Sequence, residues 1–107
     1  MVMLKKKEEK TLYKLISCTD RQGIEKVEFM NELKEKHPNM IGEFISFDAL
    51  CQFVIANIPS VCVFEWFDIS NKILRTSVVE YIVGKLGDDN IQVVTMNSVY
   101  EFVRMEE

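Results

Sequence analysis

Apolar and polar positions alternate in part along Leu12 to Cys18, and the polar run Thr19-Asp20-Arg21-Gln22-Gly23 closes them off, which predicts a first strand. From Ile24 to Lys36 the spacing changes. Ile24, Val27, Met30 and Leu33 recur at three-residue intervals, with Glu32 one turn before Lys36, so a helix is predicted up to His37-Pro38. Met40 to Ile45 fits either a loop carrying Gly42 or a short strand. A second helix is predicted after Ser46, a suitable cap, with Phe47, Leu50, Cys51, Val54 and Ile58 as its buried stripe and Pro59 as its end. Asp48, Gln52 and Ile55 fall together on a different face of it.

Ser60 to Phe67 is a nearly continuous apolar run, the pattern of a central strand covered on both sides. Leu74, Val78, Tyr81, Ile82 and Lys85 line one side of a third predicted helix, Asn71 to Leu86, stopped at Gly87. Ile91 to Met96 reads as the last strand. Ser98-Val99-Tyr100-Glu101 has the form of a capping box, so a short terminal helix is expected. Strands alternating with helices imply an α/β fold: a three-stranded parallel sheet of Leu12–Cys18, Ser60–Phe67 and Ile91–Met96, packed with three main helices. The expected core is Leu15, Val27, Leu33, Leu50, Val54, Val63, Phe64, Trp66, Val78, Ile82, Val93 and Val94.

Composition narrows this further. The 107 residues are room for one domain. Met1 to Lys10, rich in Lys and Glu, is expected to be a solvated tail rather than a signal peptide, and no apolar run is long enough to span a bilayer. Cys18, Cys51 and Cys62 are odd in number and form no C-x-x-C pair, so reduced, buried thiols in a cytoplasmic protein are expected. With His37 the single histidine, no metal site is expected.

The net charge of −4 is unevenly spread: residues 37–71 hold no Lys or Arg, yet carry Glu43, Asp48, Glu65 and Asp68. Such a stretch disfavours direct nucleic-acid contact and either favours a basic partner or is a chance gap in the basic residues. No phosphate-binding glycine loop, dinucleotide fingerprint or nucleophile elbow occurs, and Glu65 with Asp68 reads more simply as a strand residue and a cap than as a catalytic pair. No enzyme activity and no cofactor are therefore expected.

Gly42-Glu43, Asp48-Ala49-Leu50 and the later Pro59-Ser-Val-Cys-Val-Phe-Glu65-Trp66 give the chain a resemblance to the barstar family of ribonuclease inhibitors. That family has a G-E-N-x-D-A-L segment opening its second helix, then a Pro and an apolar strand ending in Glu-Trp. The resemblance implies an inhibitor or immunity protein of the toxin–antitoxin kind, monomeric when free, that covers the basic active site of a nuclease. The implied contact residues are Gly42, Glu43, Phe44, Asp48, Cys51, Gln52 and Ile55. Gln52 departs from the pattern, standing where the family places a second aspartate. Two alternatives share the sequence: a degenerate receiver-like regulatory domain, with Asp20 and Asp68 as remnants of an acidic pocket, and a phage or mobile-element protein inhibiting some other host or defence protein.

Overall fold

The computed structural model describes residues 11–69 and 72–105. Met1 to Lys10, the expected tail, lies outside them. The element order is β1 (Tyr13–Thr19), α1 (Val27–Lys36), β2 (Ile41–Ile45), α2 (Phe47–Ile55), β3 (Val61–Trp66), β4 (Ile73–Val83), β5 (Asn90–Thr95) and β6 (Val99–Arg104). The strands close into a barrel in the order β1-β2-β3-β4-β5-β6, and every neighbouring pair is antiparallel.

This overturns the expected three-stranded parallel sheet and with it the barstar-like α/β architecture. A receiver-like fold needs a doubly wound parallel sheet, so it fails too, although Met40–Ile45 does contain a strand. Closure explains why so short a chain can rely on strands: a closed sheet leaves few backbone donors and acceptors unpaired at an edge.

The local reasons are legible in each strand. In β3, Cys62, Phe64 and Trp66 are buried while Val61, Val63 and Glu65 are half-exposed. The apolar run is thus an ordinary inward–outward alternation with valines on its outer face, not a strand covered on both sides. In β6, Tyr100 and Phe102 point inwards between Val99, Glu101 and Val103, so the expected terminal helix is a strand. Ser98 forms a turn instead of a helix cap. Its backbone N–H donates to Thr95 Oγ1 at 2.9 Å, and that hydroxyl donates to the Ser98 carbonyl at 3.1 Å.

The expected third helix is β4, an eleven-residue strand. Two irregularities fall on it. Its pairing with β3 steps from Val63↔Arg75 to Val61↔Val78, and its pairing with β5 steps from Tyr81↔Val94 to Val79↔Thr95. Each inserts an extra residue into β4, a bulge that shifts the inward set from Leu74 and Thr76 to Val79.

α1 starts at Val27, later than expected. Beyond Leu15, β1 pairs with the segment leading into α1 rather than with β2: the Lys26 N–H donates to the Cys18 carbonyl, and Thr19 bridges Glu25. Met30 is buried, and Phe29 meets Tyr100 edge-on at 6.4 Å, so α1 covers this side of the barrel. α2 ends at Ile55, short of the expected Ile58. Ser46 is left-handed (φ 53°) with no side-chain capping bond, and the Leu50 N–H bonds its carbonyl.

The core centres on Phe44, whose ring lies 4.7 Å from Phe47, 4.7 Å from Phe102, 5.2 Å from Phe64 and 5.3 Å from Tyr13. Of the expected core, Leu15, Leu50, Phe64, Trp66, Val93 and Val94 are buried. Leu33, Val54 and Ile82 pack on its margin, Val63 and Val78 are half-exposed, and Val27 is exposed.

Candidate functional site

A groove of about 430 Å³ runs between α2 and the outer wall of the barrel. Its floor follows from register. Ile45 pairs with Val63, and Val63 with Arg75, so these three stand in one outward row across β2, β3 and β4. Val61 and Val78 extend the floor, and Ala49, Leu50 and Phe53 form the helical bank. Strand alternation places apolar side chains where a solvated face would normally carry polar ones. Ile45 is 40% exposed, Phe53 44%, and Ile58, beside the lining residue Pro59, 49%. Among the described lining residues Arg75 is the single charged one, and among the described residues no carboxylate forms an ion pair with it.

The residues implied by the resemblance are divided by this fold. Phe44 is the middle of the core, and Gly42 is buried against β3. Glu43 is half-buried on the outer face of β2, opposite Glu65. Cys51 packs against the core, where burial and the nearby Asp48 carboxylate push its thiol pKa up. Asp48, Gln52 and Ile55 are exposed, as spacing implies. They occupy the flank of α2 turned away from the groove, since Ile55 lies about 200° round the helix from Phe53. Sequence reasoning missed Ile45, Phe53, Val63 and Arg75. For Ile45 and Val63 the signal is outward-facing β-branched residues in β2 and β3, readable only once inner and outer faces are assigned; Phe53 and Arg75 join them only through the fold.

Two further clusters hold polar chemistry. His37 is 6% exposed, stacks on Trp66 with ring centres 4.3 Å apart, and its Nδ1 lies 2.9 Å from Asp68 Oδ1. Asp68 is thereby committed to His37, and Asp20 accepts the Gln22 and Ile24 N–H groups at 2.9 Å, so each aspartate expected in an acidic pocket has a local structural task. At the start of α1, Lys26 donates to Ser98 Oγ, beside Cys18 and Tyr100. Burial raises the Cys18 thiol and pushes the Tyr100 phenol up to about 12. A Lys–Ser pair is one composition of a nucleophilic site, but Ser98 is 3% exposed and closed to a substrate. The cluster fastens α1 to the β5–β6 turn.

Among the described residues no group of His, Cys, Asp and Glu is arranged to hold a metal ion, and no helix is long and apolar enough to cross a membrane. What the fold and groove define together is a small antiparallel barrel carrying an apolar groove on its outer wall. Comparison with family models, with curated proteins and with solved structures finds no match.

Proposed function

We propose that this chain is a non-catalytic protein-binding domain that takes an apolar segment of another protein into the groove between α2 and the β2–β4 wall. The observation that carries the reading is the half-exposed apolar rim, Ile45, Phe53 and Ile58, around a floor of Val61, Val63 and Val78. Other apolar side chains, such as Ile24, Phe67 and Met96, are exposed elsewhere, but those of the groove line a concave surface, which is a signature of a contact site. The rim favours a protein over a small ligand, because a ligand filling the groove would leave those rim side chains in water. The three unpaired cysteines, two of them buried, support a reducing, cytoplasmic setting.

The narrower expectation of an acidic surface blocking a basic nuclease draws on Asp48 and Gln52, on the opposite flank of α2. The groove is the better supported contact, because the scaffold that would carry those residues into a nuclease site is a parallel sheet and this one is not.

Affinity capture from the source cells separates the two. Wild type, Phe53→Glu, Ile55→Glu and Asp48→Ala are compared, each first shown to keep its unfolding midpoint. Loss of the captured protein in Phe53→Glu alone supports the groove. Retention there with loss in Asp48→Ala moves the interface to the far flank, and indifference to all three removes the reading.

A further inference from the structure

The groove contains one feature that an apolar contact alone does not use. Arg75 projects from β4 at the end of the row Ile45–Val63–Arg75, in a lining that is otherwise aliphatic, aromatic or hydroxyl-bearing. Its outward neighbours in register are Val63 on β3 and Ile73 two residues along β4; the nearest carboxylates on that face, Glu65 opposite Ile73 and Glu43 beyond it, stand one register step away rather than in its row. The nearest acidic residue on the helix, Asp48, lies outside the described lining. The ion pairs among the described residues engage Arg21 with Glu80, His37 with Asp68 and Arg104 with Asp89, and Arg75 takes part in none.

Resting on the reading above, we infer that the partner segment seated in this groove carries a carboxylate, from Asp or Glu, next to its apolar anchors, and that Arg75 receives it. An apolar anchor over Val61, Val63 and Val78 would remove water from the guanidinium at the groove's edge. A partner with no anion there would leave a desolvated guanidinium with no carboxylate in direct contact, which is costly. A carboxylate converts the same position into a charge-assisted, bidentate contact, the geometry for which a guanidinium is suited. Across the row, Arg75 stands two strand spacings, roughly 10 Å, from Ile45, so anchor and carboxylate belong to a single short segment of the partner. A basic or purely apolar segment is disfavoured by the same argument.

The test uses a phage-displayed library of random peptides panned against the full chain. The selected peptides are then synthesised and their affinities measured by fluorescence anisotropy. The expected consensus joins two or more large apolar residues to an Asp or Glu. Arg75→Glu weakens such peptides by at least about ten-fold. Changing the peptide's acidic residue to its amide costs wild type a similar factor but does not weaken binding to Arg75→Glu, because it removes the like-charge repulsion that the substitution introduced. Phe53→Glu abolishes binding, and Ile55→Glu does not. If binding depends on Phe53 but the peptides lack an acid or ignore Arg75→Glu, the groove stands and this inference falls. If no peptide is enriched, or binding ignores Phe53→Glu as well, both fall. Self-association through the groove, seen as a concentration-dependent sedimentation coefficient abolished by Phe53→Glu but not by Arg75→Glu, also overturns it.

Discussion

Gly42 should be the residue the barrel can least exchange for its nearest relative, alanine. It is paired with Tyr13 of β1 on one side and Trp66 of β3 on the other, and the β1–β2 ladder consists of only two partners, Tyr13↔Gly42 and Lys14↔Ile41. The seam that closes the sheet therefore passes through this residue. A Cβ added at Gly42 would lie 2.2 Å from the Glu65 carbonyl oxygen and 2.7 Å from Phe64 Cε2, well inside the separation at which carbon and its neighbours rest. The first obstacle is backbone, so no rotamer change relieves it; β2 has to move away from β3 by more than an ångström. Overpacking in a well-filled interior commonly costs about 1–3 kcal/mol. Displacement of a ladder at the closing seam puts Gly42→Ala at about 3 kcal/mol or more, a large share of a total stability of about 5–15 kcal/mol. The gain of about 0.4–1 kcal/mol from a stiffer unfolded chain does not offset it. Urea unfolding followed by circular dichroism reads this as a midpoint lowered by at least about 1 M, given slopes of about 1–3 kcal/mol/M. Gly23→Ala is the control. At Gly23 (φ 92°) nothing lies within 4 Å of the added carbon, so only the left-handed backbone is penalised, by about 1–2 kcal/mol. A Gly42→Ala protein within about 0.5 kcal/mol of wild type would refute the reasoning, since that is the ordinary scatter of surface substitutions. So would one less perturbed than Gly23→Ala.

Neighbouring positions on β2 should respond oppositely: Phe44→Ala, which removes a ring packed against four others, is expected to cost about 3–5 kcal/mol in the same urea assay, and the outward Ile45→Ala under about 1 kcal/mol. Tyr13 donates its hydroxyl to the Asp88 carbonyl at 2.8 Å and accepts the Gly87 N–H at 2.9 Å, so Tyr13→Phe should cost about 1–2 kcal/mol and speed hydrogen exchange in the β4–β5 turn. Stability should fall as pH rises from 9 towards 12. Burial holds the Cys62 thiol at about 12 against an ordinary 9.0, and the Tyr100 phenol at about 12 against 10.0. Over that window the unfolded chain has lost these protons and the folded one keeps them, so alkali favours unfolding. Thermal midpoints across that range check it, and a flat or rising profile would contradict it.

How much of this was legible in the sequence differs from one element to the next. The strand at Leu12–Cys18, the two helices and the strand at Ile91–Met96 were readable because their apolar spacing is undisturbed. β4 was not. Its two extra residues break the period of two, and Leu74, Val78 and Tyr81 then fall at intervals that mimic a helix stripe. The competing signal was composition, since Ile73, Thr76, Val78, Val79, Ile82 and Val83 are β-branched residues that fit a pleated surface better than a helix. In β6 a four-residue capping signature outweighed the alternation of Val99 to Val103, although Ser98 in fact serves the turn between two strands. With β4 and β6 read as helices and Met40–Ile45 left between loop and strand, only three strands remained, and strands separated by helices imply a parallel sheet. The error in topology therefore grew from two local misreadings. The site followed the same course. Asp48, Gln52 and Ile55 were correctly placed together and exposed, whereas Ile45, Val63 and Arg75 form a row only through strand pairing.

Photocrosslinking in the source cells tests the binding face most directly. A benzophenone-bearing phenylalanine analogue replaces Phe53 in one form of the full chain and Ile55 in another. The account predicts a discrete heavier adduct from position 53 and none from position 55, because only the first side chain lines the groove. Adducts from position 55 alone, or none from position 53, would contradict it.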